Sequence, residues 1–228
     1  MIGKSGNRFS EKIMLNQKRA NMDAAQSLPE PQTEAIAAAA PSPRERLIEA
    51  ATRLFCRYGV NSVGVDAIIE AAGTAKTTLY KLFGSKDGLV EAVLQREGEG
   101  WRSWFLAEID GPGGSARERL GRIGPTLKSW FTREDYFGCP FINAVAESDK
   151  ADDRMRTLAL AHKRVVLKRL SELCAEAGLR DPDETAHTIG LVIDGAIVAA
   201  LVTRDPKVAD TASRGCTAIL SLGYAGAA

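Results

Sequence analysis

Residues 59–83 read GVNSVGVDAIIEAAGTAKTTLYKLF, and the spacing of small and apolar residues in this stretch decides the fold. Ala67, Ile68, Ala71 and Ala72 form an apolar stripe at helical spacing, with Val65 leading into it. Gly73 is able to take a positive φ and end that helix. Thr74 follows as an N-cap candidate, its hydroxyl able to satisfy free amides of the next helix. That second helix is about two turns long, with Leu79, Leu82 and Phe83 expected inward. Lys76, Thr77, Thr78, Tyr80 and Lys81 are left outside, and no acidic residue stands between Lys76 and Lys86. Two short helices joined this way predict a helix-turn-helix. A face of hydroxyls and cations on such a helix suits phosphates and base edges in a major groove.

The flanks extend the unit. In SPRERLIEAATRLFCRYG, starting at Ser42, Leu47, Ile48, Ala51, Leu54 and Phe55 repeat at helical spacing and Gly59 is placed to close the helix. In GSKDGLVEAVL, starting at Gly84, Ser85 is the N-cap of a longer helix that runs on through Trp101 and Trp104.

Here the chain resembles the TetR family of bacterial transcriptional regulators. The resemblance is carried by Ala50, Ala51, Leu54, Phe55, Gly59, Val65, Ile68, Ala71, Ala72, Gly73, Thr78, Leu79, Tyr80, Phe83, Ser85, Lys86 and Leu89. Four positions depart from it: Gly64 for a common Ser or Thr, Ile69 for a small Ala, Ala75 for a frequent Ser, and Leu82 for a His or aromatic. The changes at Ala75 and Leu82 remove phosphate contacts that the family pattern offers, so the affinity is expected either to fall or to lean more on the lysines. The resemblance implies a double-stranded DNA operator read by Asp66, Thr74, Lys76, Thr77, Thr78, Tyr80, Lys81 and Lys86. It also implies a homodimer and an effector cavity among the middle helices.

Composition agrees with an all-α fold: 45% of the 228 residues are hydrophobic, only 6% are aromatic, and no alternating strand pattern stands out. The expected organisation is a tail over residues 1–42, a three-helix helix-turn-helix DNA-binding domain over 43–90, and a C-terminal helical bundle over 91–228 for ligand binding and dimerisation. The net charge of +1 is unevenly spread. Residues 44–90 carry seven Lys/Arg against five Asp/Glu, whereas residues 91–228 carry eighteen against twenty. The segment 4–19 adds five cations and one acid, so positive charge gathers on the N-terminal side, where DNA would be met. Its tail is rich in Ala, Pro, Gln and Glu and is expected to be disordered, either a basic arm along DNA or a solvated extension. Cys56, Cys139, Cys174 and Cys216 are widely spaced, with no CxxC pair, so no metal site or cofactor is expected and a reduced, cytoplasmic protein is. The longest apolar run, LVIDGAIVAALV at 191–202, is interrupted by Asp194 and falls short of the ~18 residues a membrane span needs.

Beyond residue 90 the helix breaks follow the glycines and prolines. GPGG at 111–114 ends the long helix, and SARERLGRIGPTLKSWF is expected to bend near Gly124-Pro125. A helix from Asp152 to Ala177 closes at Gly178, and Asp181-Pro182 and Asp205-Pro206 each open one of the last two helices. The first of these is apolar nearly all round and rich in small residues, so it buries more than one side. In the resembled family the last two helices pair with their symmetry mates, which places Gly190, Ile193, Ile197, Leu201, Ile219 and Leu220 at the dimer interface.

The candidate cavity residues are Trp101, Trp104, Phe105, Trp130, Phe131, Phe137, Cys139, Phe141, Met155, His162 and Asp194, although large apolar side chains at such spacing also fill ordinary cores. Cys139 precedes Pro140 at a helix start, where the dipole would lower its pKa and favour the thiolate, although a structural, unreactive Cys packed under the loop is the favoured reading. These features point to a regulator whose repression an effector relieves. The alternatives are a thiol-responsive regulator acting through Cys139, and a helical adaptor without DNA binding. An enzyme finds no support, since GxSxG, HExxH and phosphate-cradling glycine loops are all missing from the sequence.

Overall fold

Helix α1, Pro43–Tyr58, starts on a complete capping box. Ser42 Oγ accepts from the Glu45 amide at 3.3 Å, and Glu45 accepts from the Ser42 amide at 2.7 Å, with Pro43 at the first helical position. The computed structural model describes residues 40–224 apart from Pro112, Lys150 and Asp152. Residues 1–39 of the expected tail therefore lie outside the described residues.

The first unit, Met1–Val93, continues with α2 (Val65–Ala72) and α3 (Lys76–Phe83). Leu47, Ile48, Ala51, Ile68, Leu79 and Leu89 are buried in its core. Gly73 ends α2 in the left-handed region, φ 59°, and Thr74 donates its amide back to Ile69. Helix α4, Lys86–Asp110, begins with Ser85 Oγ accepting from the Gly88 amide at 3.0 Å, as the sequence predicts, and continues into the second unit, Leu94–Ala228.

The second unit adds α5 (Ala116–Gly121), α6 (Ile123–Phe131), α7 (Pro140–Glu147), α8 (Arg154–Glu176), α9 (Pro182–Thr203) and α10 (Val208–Tyr224). Helix α8 packs against α5, α7 and α9, and α10 packs against α6 and α9. Phe105, Ile109, Leu120, Ile123, Leu127, Leu170, Leu173 and Ile189 form its fully buried core. No strand occurs among the described residues.

Two expectations about these helices are corrected. The bend placed at Gly124-Pro125 falls at Arg122 instead, between α5 and α6. Pro125 sits in the first turn of α6, where its missing N–H costs nothing. Arg122 Nη1 donates to the Ile109 and Asp110 carbonyls at 3.0 and 3.1 Å, closing the C-terminus of α4. The second concerns α9, which is long and apolar enough to cross a membrane by composition, with a mean hydropathy of 1.8. It buries Ile189, Ile193, Ala196 and Ala200 in the bundle, and its Asp194 pairs with Lys163 of α8.

Candidate DNA-reading face and effector cavity

Helix α3 has one fully buried side chain, Leu79. Lys76, Thr77, Tyr80 and Lys81 are exposed and Thr78 is half-buried, so the expected outer face is present. Leu82 was expected inward but is 41% exposed, and Ala67 and Ala71 of α2 are also exposed. A helix of two turns aims few positions at a small core, and Ile68 and Ala72 occupy that line on α2. Val63, in the turn before α2, takes a buried position that no periodicity marked.

The polar contacts change three further expectations. Thr74 does not cap α3: Ala75 holds the N-cap position without a side-chain bond, and Thr74 Oγ1 is buried without a partner. Lys86, expected on phosphate, donates from Nζ to the Val60 carbonyl at 2.6 Å and ties α4 to the loop before α2. Lys76 Nζ lies 3.0 Å from Asp66 Oδ1, and that bond raises the lysine pKa. Arg46 was not anticipated. Its Nε donates to the Ala72 carbonyl at 3.1 Å, fastening α1 to the C-terminus of α2 and holding the turn.

In the second unit a cavity of about 260 Å³ opens among α4, α7, α8 and α9. Of the expected wall residues, Trp101, Trp130, Cys139, Phe141, His162 and Asp194 line it. Trp104, Phe105, Phe131, Phe137 and Met155 do not: Phe105 is closed in the core, Phe131 and Met155 are buried elsewhere, and Phe137 is exposed. The side of a helix facing a cavity depends on the neighbouring helices, which residue type does not reveal. Sequence reading missed Glu97, Gly98, Lys163, Val166 and Leu191 in the wall. Gly98 has a physical reason to be there, because a Cβ on it would come within 2.7 Å of the Phe141 ring.

Inside the cavity Phe141 stacks on His162, ring centroids 4.2 Å apart, and Trp101 lies 5.6 Å from the same imidazole. Arg102 Nη1 is 2.9 Å from His162 Nδ1. A guanidinium only donates, so Nδ1 accepts and the ring proton is assigned to Nε2. Burial, then the Arg102 and Lys163 cations, hold the His162 pKa down to about 3. Lys163 Nζ lies 2.5 Å from both Asp194 carboxylate oxygens. Cys139 occupies the N-cap position of α7, as predicted, but its thiol is not activated. Burial pushes its pKa up, against the opposing pull of the Ile142 and Phe141 amides and of Lys163. Burial thus outweighs the helix dipole, in the direction of the unreactive thiol.

Residues 47–93 match the model of bacterial regulatory proteins of the tetR family, and residues 116–216 match the tetracyclin repressor-like C-terminal domain. The crystal structure of SCO4454, a TetR-family transcriptional regulator from Streptomyces coelicolor, has a TM-score of 0.73 to this chain at 31% sequence identity. The match covers 79% of this chain and 95% of that one. The chain belongs to the TetR family. Curated relatives agree: the HTH-type transcriptional repressor ComR of Escherichia coli is 28% identical over 165 residues, 69% of this chain and 79% of ComR. The HTH-type transcriptional regulator Rv1255c of Mycobacterium tuberculosis is 25% identical over 184 residues, 70% of this chain and 88% of that protein. It follows that this is a DNA-binding transcriptional regulator, and the family is one of regulatory proteins rather than enzymes.

For a TetR regulator the outer faces of the last two helices matter, and here the residues differ from those expected. Ile193, Ile197 and Leu220 are buried in the chain's own core. Gly190 packs against Leu167, Leu201 against Gly138, and Ile219 is half-buried. The side chains left exposed on α9 are Leu191, Val198, Leu201 and Val202, with Leu222 on α10, so of the expected residues Leu201 keeps an outward position. An all-round apolar helix offers several stripes to periodicity, and packing chooses between them.

Proposed function

We propose that this TetR regulator is a homodimeric repressor that leaves a palindromic operator when a small effector enters the α4–α7–α8–α9 cavity. The observation that carries it is the α3 surface, where Lys76, Thr77, Tyr80 and Lys81 stand exposed around a buried Leu79. Thr78 adds a hydroxyl, and Asp66 on α2 holds Lys76 until phosphate displaces it. Lys86 contributes by fixing α4 rather than by meeting phosphate. Effector and DNA share one element, since α4 follows α3 directly and carries Glu97, Gly98 and Trp101 in the cavity wall. An effector that prefers one conformer shifts the population by its differential affinity and no more.

Dimerisation is supported by the unpartnered apolar stripe on α9 and α10, which a second copy would cover in an isologous contact. A regulator of this kind works in the cytoplasm on chromosomal DNA, without catalysis and without a membrane partner. The test is fluorescence anisotropy on the duplex upstream of its own gene across a salt series. Wild type binds with steep salt dependence and Tyr80→Ala with Lys81→Ala does not. Equal binding by both proteins overturns the assignment of α3.

A further inference from the structure

The polar groups of the cavity wall are unevenly matched. Lys163 and Asp194 satisfy each other. His162 accepts from Arg102 at Nδ1, which leaves its Nε2–H without a hydrogen-bond partner among the described residues. Trp101, in the same wall, has a buried Nε1–H that also lacks one. Both groups are donors, and the buried Trp101 Nε1–H is expensive until an acceptor reaches it.

The rest of the wall selects the body of the ligand. Trp130, Phe141, Val166, Ile193 and Ile197 are rings and branched chains, and the stacked Phe141–His162 pair offers flat surface. A charged occupant meets charges of both signs rather than a lone counter-ion. His162 stays neutral between Arg102 and Lys163, and the Lys163 and Asp194 charges are spent on each other. Glu97 and Asp194 beside aromatic rings would favour a cationic head, but Lys163 and Arg102 oppose it.

We infer, on the premise that this cavity is the effector site, that the effector is an uncharged aromatic molecule whose carbonyl-type oxygen accepts a hydrogen bond from His162 Nε2–H. Full-length protein is titrated calorimetrically with four probes of one shape: 2-acetonaphthone, 2-isopropylnaphthalene, 2-naphthoate and 2-naphthyltrimethylammonium. The ketone binds about tenfold more tightly than the hydrocarbon, ~1.4 kcal/mol, and more tightly than either ion. His162→Phe keeps the ring stack and the hydrocarbon affinity while the tenfold preference disappears. Tighter binding of either ion, or a ketone preference that survives His162→Phe, overturns the ligand class and leaves the cavity standing. Binding of no probe, or hydrocarbon binding that persists in both Val166→Trp and Ile197→Phe, removes the effector site and the ligand class together.

Discussion

Lys76 enters the reading helix already engaged, its ammonium shared with the Asp66 carboxylate on α2. Both side chains are well exposed, so the pair is one that phosphate can break. Asp66→Asn is expected to raise DNA affinity a few-fold at low salt, with the gain fading toward ~1 M, where charges are screened beyond ~3 Å. Ala75 leaves the start of α3 without a side-chain cap, and Ala75→Ser should stabilise the protein by about 1 kcal/mol, read as a higher urea midpoint. His162 is neutral when folded, whereas the unfolded chain takes up its proton near pH 6.5. Acidification between those limits favours unfolding, by up to about 2 kcal/mol from pH 7 to 5, and His162→Phe flattens that part of the profile. Exposed positions of α3 were legible because a two-turn helix has a simple outer face. The roles of Lys86 and Thr74 were not, since the Val60 carbonyl and a buried hydroxyl are facts of packing.

Helix ends show how far local signals reach. Ser85, Cys139-Pro140 and Asp181-Pro182 each mark a start that the structure places within a residue of its predicted position, whereas α10 starts at Val208, two residues after Pro206. The α5–α6 break was misplaced because Arg122 answers to a distant demand, the last carbonyls of α4. Arg122→Met leaves those carbonyls without the guanidinium and should cost about 1–2 kcal/mol. Faster amide exchange in the last turn of α4 is the accompanying sign. Three charged side chains also meet around Asp110: Arg169 binds both of its oxygens, Arg119 approaches one, and Glu176 joins the two arginines. That network holds α4, α5 and α8 together, and the Arg169 guanidinium keeps the Asp110 carboxyl below its usual range. Residues so far apart in sequence carry no common pattern, so nothing short of the fold reveals their meeting.

A regulator that reads a palindrome needs two copies, and the exposed apolar stripe of α9 and α10 is where they are expected to join. Val198→Glu with Val202→Glu puts two carboxylates into that contact and should yield a monomer in analytical ultracentrifugation, with operator affinity lost in parallel. The same substitutions leave the buried Ile193 and Ile197 untouched, so helicity is retained. The most direct measurement is selection from a random duplex library, comparing wild type with the Tyr80→Ala, Lys81→Ala variant. A homodimer reading DNA through α3 enriches an inverted repeat with half-sites ~34 Å or a multiple of it apart, and the variant does not. Enrichment of an asymmetric site, or of the same repeat by both proteins, would contradict the account.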